Sequence, residues 1–164
     1  MDGLLIGRFQ PFHLGHLDAV LFGLSRTENL FVGIGSSNKS NERRNPFSAE
    51  ERTEMIISSI EPSMIERIKI FDIPDVDNHE KWTFEIDQIV PKYDVVFSND
   101  EFTKTLFEKR KIDVIPVVLK DREKFSGTNI RDLIADDKNW QDLVPRGTRN
   151  VLEKINAKER LKNL

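Results

Sequence analysis

Short apolar runs alternate with amphipathic segments along most of the chain. Between the runs, apolar residues recur three and four positions apart, which is the spacing of a helix with one buried face. Strands that alternate with such helices form a parallel sheet covered on both sides. The pattern therefore predicts an α/β fold: a single doubly wound, Rossmann-like domain with a five-stranded parallel sheet, helices on both faces and a helical C-terminus. The predicted strands are 3–7, 29–35, 68–73, 93–98 and 112–118.

Helix limits follow from capping residues and prolines. Ser48 and Glu51 match a capping box, which predicts that a helix begins at Ser48. Pro116 is unsuited to a central strand, so we expect the fifth strand to lie at an edge of the sheet or to end early. We predict one domain over 1–164, with C-terminal helices over about 128–162. The predicted helices are 16–26, 48–60, 81–90, 100–110, 128–136, 139–144 and 148–162.

The composition limits the classes of protein to which the chain can belong. Its 164 residues fit one domain, and 38% hydrophobic residues suffice for a core. No apolar run approaches the ~20 residues of a membrane helix, and the first residues lack the features of a signal peptide. The absence of cysteine fits an intracellular protein, so we expect a cytoplasmic location. A net charge of −3 argues against a general nucleic-acid binder.

Two of the three histidines, His13 and His16, lie where the first strand passes into the first helix. Such junctions bind phosphates, because the helix start offers free N–H groups and the positive end of its dipole. Gly15 removes a Cβ where a phosphate would approach the backbone. We therefore predict the triphosphate site of a nucleotidyltransferase here. The alternatives are that the histidines only cap the loop and the helix, or bind zinc, which the lack of cysteine and of an HExxH pattern disfavours.

A second candidate stretch begins the helix predicted near residue 128. Ser126 or Thr128 is a suitable N-cap, so these residues alone indicate only a helix start. Arg131 is different, because a cation in the first turn opposes the helix dipole and a bound anion would reverse the sign of that interaction. The basic residues just before this helix are typical of a solvated loop: Lys120, Arg122 and Lys124.

The polar segment after the second strand is a third candidate. It carries Lys39, Arg43 and Arg44, and a charge run of this kind is usually solvated. A loop at the carboxyl edge of a parallel sheet can, however, fold over a ligand bound in the crevice there.

In these residues the chain resembles the nucleotidyltransferase α/β-phosphodiesterase superfamily. That superfamily has an HxGH motif after its first strand, here His13-Leu14-Gly15-His16, and an (S/T)-x-x-R motif late in the chain, here Thr128 to Arg131. Within it, the stretch from Gly7 to His16 is similar to the archaeal nicotinamide-mononucleotide adenylyltransferases. The resemblance covers nearly the full length and includes 33–36, 45–52, 126–131 and 143–145.

The resemblance implies roles for particular residues. Arg8, Arg44 and Arg131 join His13 and His16 as the catalytic residues that line the ATP phosphates. Further ATP-binding residues are implied at Gly7, Phe9, Gly15, Ser126, Gly127 and Thr128, and acceptor-binding residues at His79, Trp82, Ser98 and Asn99.

The chain departs from the family pattern in the acceptor region. His79 stands where the family usually has asparagine, and Ser98-Asn99-Asp100 stands where it usually has Ser-Gly-Asn. Without the resemblance, Trp82 would be assigned to the core, since aromatic residues at helical spacing usually belong there.

The resemblance implies transfer of the adenylyl group of ATP to nicotinamide mononucleotide (NMN), giving NAD and pyrophosphate. It implies Mg²⁺ bound with ATP, no resident metal, and a homo-oligomer, which in this family tends to be a hexamer. No nucleic-acid or membrane partner is expected. Three alternatives stay open: adenylyl or cytidylyl transfer to another phosphorylated acceptor such as phosphopantetheine or FMN, a non-catalytic nucleotide-sensing module, and a metal hydrolase.

Overall fold

The predicted α/β fold is confirmed. The structure is a computed structural model that describes residues 1–118 and 121–164. In these residues five parallel strands form one sheet, in the order β3-β2-β1-β4-β5. The strands are β1 (Asp2–Gly7), β2 (Asn29–Gly35), β3 (Ile68–Ile73), β4 (Val95–Phe97) and β5 (Asp113–Ile115).

Helices cover the sheet and form the C-terminal part of the chain. In the described ranges, none of them is both long and apolar enough to span a bilayer. A 3₁₀ turn lies at Gln141–Leu143, and the helices are α1 (Leu14–Arg26), α2 (Ala49–Ser59), α3 (Pro62–Ile65), α4 (His79–Ile89), α5 (Glu101–Glu108), α6 (Gly127–Ala135), α7 (Arg146–Lys154) and α8 (Ala157–Lys162).

Successive residues of the central strands face two different cores, as strand geometry requires. On β1, Leu5 belongs to the larger core, which also contains buried residues of α1, α2, α6 and α7. Its neighbour Leu4 belongs to the smaller core, which α4 and α5 complete through Ile86 and Phe107. The helices therefore lie on both faces of the sheet, as predicted.

The order of the strands fixes where a ligand can bind. From β1 the chain runs to β2 and β3 on one side, and it then returns to β4 on the other side of β1. In such sheets a crevice opens where the two directions diverge, at the carboxyl ends of the strands. The segment after β1 and the segment after β2 both begin at this edge.

Several predicted limits differ from the structure. The first helix begins at Leu14 and not at residue 16, because His13 caps it. The helix predicted at 139–144 is only a 3₁₀ turn. The predicted helix 148–162 is in fact two helices, since Asn156 adopts a left-handed backbone with φ of 53° that asparagine tolerates better than most residues. As predicted, β5 is an edge strand that ends just before Pro116.

Helix α7 packs so closely on α2 that Gly147 has no room for a side chain. A Cβ there would lie 2.4 Å from the carbonyl carbon of Ser58. Alanine favours a helix by about 1 kcal/mol over glycine, but overpacking of a core typically costs about 1–3 kcal/mol, and here the obstacle is backbone. We expect Gly147→Ala to lower the free energy of unfolding by about 1–2 kcal/mol in urea denaturation.

Asn150→Ala, at an exposed position of the same helix, is the matched control and should not lower that free energy. Stabilisation by Gly147→Ala would contradict the close approach of the two helices.

Candidate functional site

His13 and His16 bind each other's backbone at the start of α1. The Nδ1 atom of His13 accepts a hydrogen bond from the amide of His16 at 3.3 Å, and Nδ1 of His16 accepts one from the amide of His13 at 3.2 Å. A neutral imidazole that accepts at Nδ1 carries its proton on Nε2. The pair therefore caps the helix, as the structural alternative expected, and this capping uses the Nδ1 atom and not the Nε2 atom of each ring. The ring of His16 has a further hydrogen bond to the backbone of Pro11.

Aromatic packing keeps both rings uncharged. The ring of His16 stacks on that of His13 at 3.6 Å and on that of Phe12 at 5.8 Å, and it meets the ring of Phe9 edge-on. Burial lowers the pKa of His13 to about 4. Burial, followed by the charge of His13, holds the pKa of His16 well below its usual value. Both histidines are neutral at pH 7.

These two rings form the wall of a cavity of about 280 Å³, the histidine cavity. Ser126, the N-cap of α6, also lines it, and its Oγ accepts from the amide of Asn129 at 3.1 Å. Gly15 also makes room for the ring of His13, because a Cβ at this position would lie 2.9 Å from that ring; the approach of a phosphate to its backbone stays a prediction. The lining residues are His13, Gly15, His16, Arg122, Phe125, Ser126 and Gly127.

The basic residues before α6, which were predicted to form a solvated loop, are not all surrounded by solvent alone. Arg122 lines the histidine cavity, which the sequence did not predict. Lys124 lies over the ring of Phe125, with its Nζ 5.5 Å from the ring centroid. Lys120 lies outside the described residues.

Four arginines meet at a second cavity of about 600 Å³, the arginine cavity. They come from three separate segments: the residue after β1, the loop 36–47 and helix α6. Burial, followed by the charges of Arg8 and Arg44, lowers the pKa of Arg131 from its ordinary value. A bound polyanion would relieve this repulsion. The lining residues are Arg8, Arg43, Arg44, Thr128, Arg131, Asp132, Ala135 and Leu161.

Arg131 also has partners inside the protein. Its Nη1 donates to the backbone carbonyl of Gln10 at 2.7 Å, and its Nη2 donates to Oγ1 of Thr128 at 3.4 Å. The unfavourable position of this cation in the helix is thus partly compensated without a ligand.

A third cavity, the aromatic cavity, has about 640 Å³ and shares Arg8 with the arginine cavity. Half-buried Trp82 contributes both to this wall and to the smaller core, where its ring meets that of Phe107. The ring of His79 meets that of Phe102 edge-on at 5.3 Å. The lining residues are Ile6, Gly7, Arg8, Gly35, Ser36, Lys39, Asp75, Val76, Asp77, His79, Trp82, Phe102 and Thr103.

The side chains of three predicted binding residues are engaged in packing or hydrogen bonds within the protein. Phe9 is only 2% exposed and lies in the core, so it reaches none of the three cavities. The side-chain amide of Asn99 forms two hydrogen bonds with the backbone of Val117. The hydroxyl of Ser98 accepts from the amide of Asp100 at 3.0 Å. The structure therefore gives no support to ligand binding by these three side chains.

Sequence reasoning missed further residues at or beside the site, among them Phe102 and Arg52. Phe102, in the first turn of α5, is 51% exposed, and an exposed aromatic residue at a helix start was the available signal. Arg52 is completely buried, and no local pattern marks it.

Metal-binding groups are not gathered at the site. Within 1–118 and 121–164, no three histidine, cysteine, aspartate or glutamate side chains are placed to hold an ion.

Comparison with known proteins finds a matching family and full-length relatives. The model of the cytidylyltransferase-like family matches residues 4–133. The chain is 36% identical to a nicotinamide-nucleotide adenylyltransferase of Thermococcus sibiricus, over 100% of this chain and 89% of the relative. It is 35% identical to the enzyme of the same name from Methanococcus aeolicus, over 100% of this chain and 95% of the relative.

A solved structure shares the fold at low identity. It is that of a bifunctional NMN adenylyltransferase/ADP ribose pyrophosphatase from Francisella tularensis, complexed with AMP and a manganese ion. The TM-score is 0.79 at 20% identity, and the match covers 98% of this chain but only 51% of that one.

The neutral state of His13 makes stability depend on pH. The pKa of this group is about 4 in the folded protein and 6.5 as the ordinary value, so the unfolded chain binds more protons between these two values. The free energy of unfolding should therefore fall by about 3 kcal/mol as the pH drops from 6.5 to 4. Urea denaturation at a series of pH values measures this.

The control is His13→Asn, which keeps an N-cap acceptor but does not titrate. It should make the profile less steep in this window, with the contribution of His16 remaining, and an unchanged profile would rule out a contribution of His13.

Proposed function

The chain belongs to the cytidylyltransferase-like family and, within it, to the nicotinamide-nucleotide adenylyltransferases, and we propose that it transfers the adenylyl group of ATP to NMN, giving NAD and pyrophosphate. The observation that carries the proposal is the position of Arg8 on both the arginine cavity and the aromatic cavity. A triphosphate in the first and a mononucleotide in the second would bring their phosphates together at this residue.

The reaction needs alignment and positive charge more than a base. An oxygen of the NMN phosphate attacks the α-phosphorus of ATP, and the bond from that phosphorus to the bridging oxygen breaks in line, so that pyrophosphate leaves. A phosphate monoester has its second pKa near ~6 and is mostly a dianion at neutral pH. The enzyme must therefore hold two anions together and stabilise the charge that moves onto the leaving group.

We assign to His13 and His16 the role of neutral donors. The mutual capping uses Nδ1 and not Nε2, and preorganised Nε2–H donors would stabilise the charge that develops on the α- and β-phosphates. A bound phosphate would also raise the pKa of both imidazoles, because a nearby anion favours the protonated form.

The arginines would hold the polyphosphate. Arg131 and the first amides of α6 are assigned to the β- and γ-phosphates, which leave as pyrophosphate. Arg44, with its neighbour Arg43, would cover the triphosphate from the loop 36–47. Arg8 would orient the acceptor phosphate against the α-phosphate.

The aromatic cavity suits the base of NMN. The ring of Trp82 offers an apolar surface, and His79 and Phe102 stand beside it. Carboxylates of Asp75 and Asp77 line the same cavity, and the nicotinamide ring of the mononucleotide is a cation. Aromatic faces and carboxylates both favour such a group.

Three further expectations belong to this proposal. Mg²⁺ is expected as part of the ATP substrate complex, where it keeps several of its own waters. The Francisella protein is complexed with AMP and a manganese ion, which supports a divalent metal in this proposal. A homo-oligomer, such as a hexamer, and a cytoplasmic location stay predictions.

The proposed activity is tested by chromatographic product analysis with ATP, Mg²⁺ and NMN. We expect NAD and pyrophosphate in equal amounts. Phosphopantetheine and FMN in place of NMN, and CTP in place of ATP, are the controls and should give much slower turnover. Faster turnover with one of these would reassign the substrate, and the absence of any transfer would favour a nucleotide-sensing module.

Removal of one histidine should slow the reaction without unfolding the protein. We expect His16→Ala to lower kcat by more than tenfold, a loss of at least about 1.4 kcal/mol of transition-state stabilisation. His16 also caps α1, so His16→Gln is the control, because glutamine at this helix position can keep the capping hydrogen bond. Wild-type kcat in His16→Ala, or full rescue by His16→Gln, would show that the imidazole is not needed for the chemistry.

A further inference from the structure

Arg43 and Arg44 form the tip of a tight turn within the loop 36–47. On either side of them, Glu42 and Asn45 exchange two backbone hydrogen bonds, at 3.2 and 3.1 Å. The amide of Asn41 donates to the carbonyl of Pro46 at 3.3 Å, which extends the closed turn by one residue on each side. The closed turn fixes Arg43 and Arg44 relative to the ends of the loop. The position of the loop ends therefore determines where these two arginines lie.

The guanidinium of Arg52 holds the first end. It is completely buried, and it uses all five of its N–H donors on backbone carbonyls. Burial lowers its pKa to about 10, so it stays protonated at pH 7. The acceptors, at 2.9–3.3 Å, are the carbonyls of Arg8, Gly35, Ser36, Lys39 and Ser48.

The amide of Gln10 holds the second end. This side chain, 3% exposed, donates from Nε2 to the carbonyl of Phe47 at 3.1 Å and accepts at Oε1 from the amide of Phe47 at 3.0 Å. The backbone carbonyl of the same Gln10 accepts from Arg131 at 2.7 Å. One residue therefore links the end of the loop to the arginine of α6.

We propose that Arg52 and Gln10 are positioning residues that hold the two ends of the loop 36–47, so that its tip arginines face Arg8 and Arg131 across the arginine cavity before the nucleotide binds. Neither side chain lines that cavity, so each acts through the arginines that do. The proposal rests on the proposed function for its substrate, since ATP is the polyanion assigned to the cavity. Preorganised cations bind a polyanion more tightly than cations that must first be ordered.

The test is the Kd of Mg²⁺–ATP, measured by isothermal titration calorimetry. Arg52→Lys keeps the charge but leaves at most three donors for five carbonyls. Gln10→Met keeps the volume but removes both hydrogen bonds to Phe47. We expect each variant to weaken ATP binding by about tenfold or more at a temperature where its circular dichroism is native.

Arg67→Lys is the matched control. Arg67 also donates to several backbone carbonyls, those of Leu24, Thr27 and Glu28, but at the opposite end of the sheet from the cavity. Its replacement should lower thermal stability and leave the Kd of ATP within twofold of wild type.

A double-mutant cycle separates positioning from general destabilisation. In a background of Arg43→Ala and Arg44→Ala, the anchors have no tip cations to position, so Arg52→Lys and Gln10→Met should change the Kd by less than threefold. A purely structural role predicts the same loss in both backgrounds.

The proposal is overturned if both folded variants bind ATP within twofold of wild type. It is also overturned if they lose as much ATP affinity in the background of Arg43→Ala and Arg44→Ala as they do in the wild-type background. If Arg52→Lys does not fold, Gln10→Met decides alone. If neither folds, the side chains support the core and not the loop, and the proposal fails. Since ATP binding is read without an acceptor, a protein that binds ATP normally but makes no NAD would refute the proposed function and leave this inference standing.

Discussion

The site depends on the burial of one charged group, the guanidinium of Arg52. Taking a cation out of water costs several kcal/mol unless hydrogen bonds replace its hydration. Here the replacement consists of five carbonyl oxygens, which come from the residue after β1, the end of β2, the loop that follows it and the residue before α2. The hydrogen bonds require these segments to converge on one guanidinium. Because the guanidinium of Arg52 must be hydrogen-bonded by all of them, the edge of the sheet and the loop 36–47 are held together.

At the carboxyl edge of the sheet, the arginines supply positive charge and the histidines supply uncharged hydrogen-bonding groups. The arginines repel one another, which is why the pKa of Arg131 is lowered by its neighbours as well as by burial. The histidines are stacked at 3.6 Å, a contact that two imidazolium ions would not tolerate, and are neutral donors at pH 7. Cations gathered in this way destabilise the site, and a bound polyanion would remove that cost.

Local signals predicted the elements of the fold well because the forces behind them act between near neighbours. The strand at Asn29–Gly35 and the capping box of Ser48 and Glu51 are as predicted. The histidine pair was recognised from a local motif, since His13, Gly15 and His16 lie within four consecutive residues. The helix predicted at 148–162 failed because periodicity does not register a single left-handed residue, Asn156, within an otherwise helical pattern.

The sequence by itself determined the alternation of strands and helices, the HxGH junction and the cationic residues around it. Only the tertiary structure decided which of them meet. It placed the side chain of Phe9 in the core and bonded the amide of Asn99 to the backbone of Val117, so neither side chain is directed to a ligand by the contacts seen. It added Arg52 and Gln10, whose partners are backbone groups. Every residue carries a carbonyl, so no pattern of side chains can mark the ones that will converge on a buried cation.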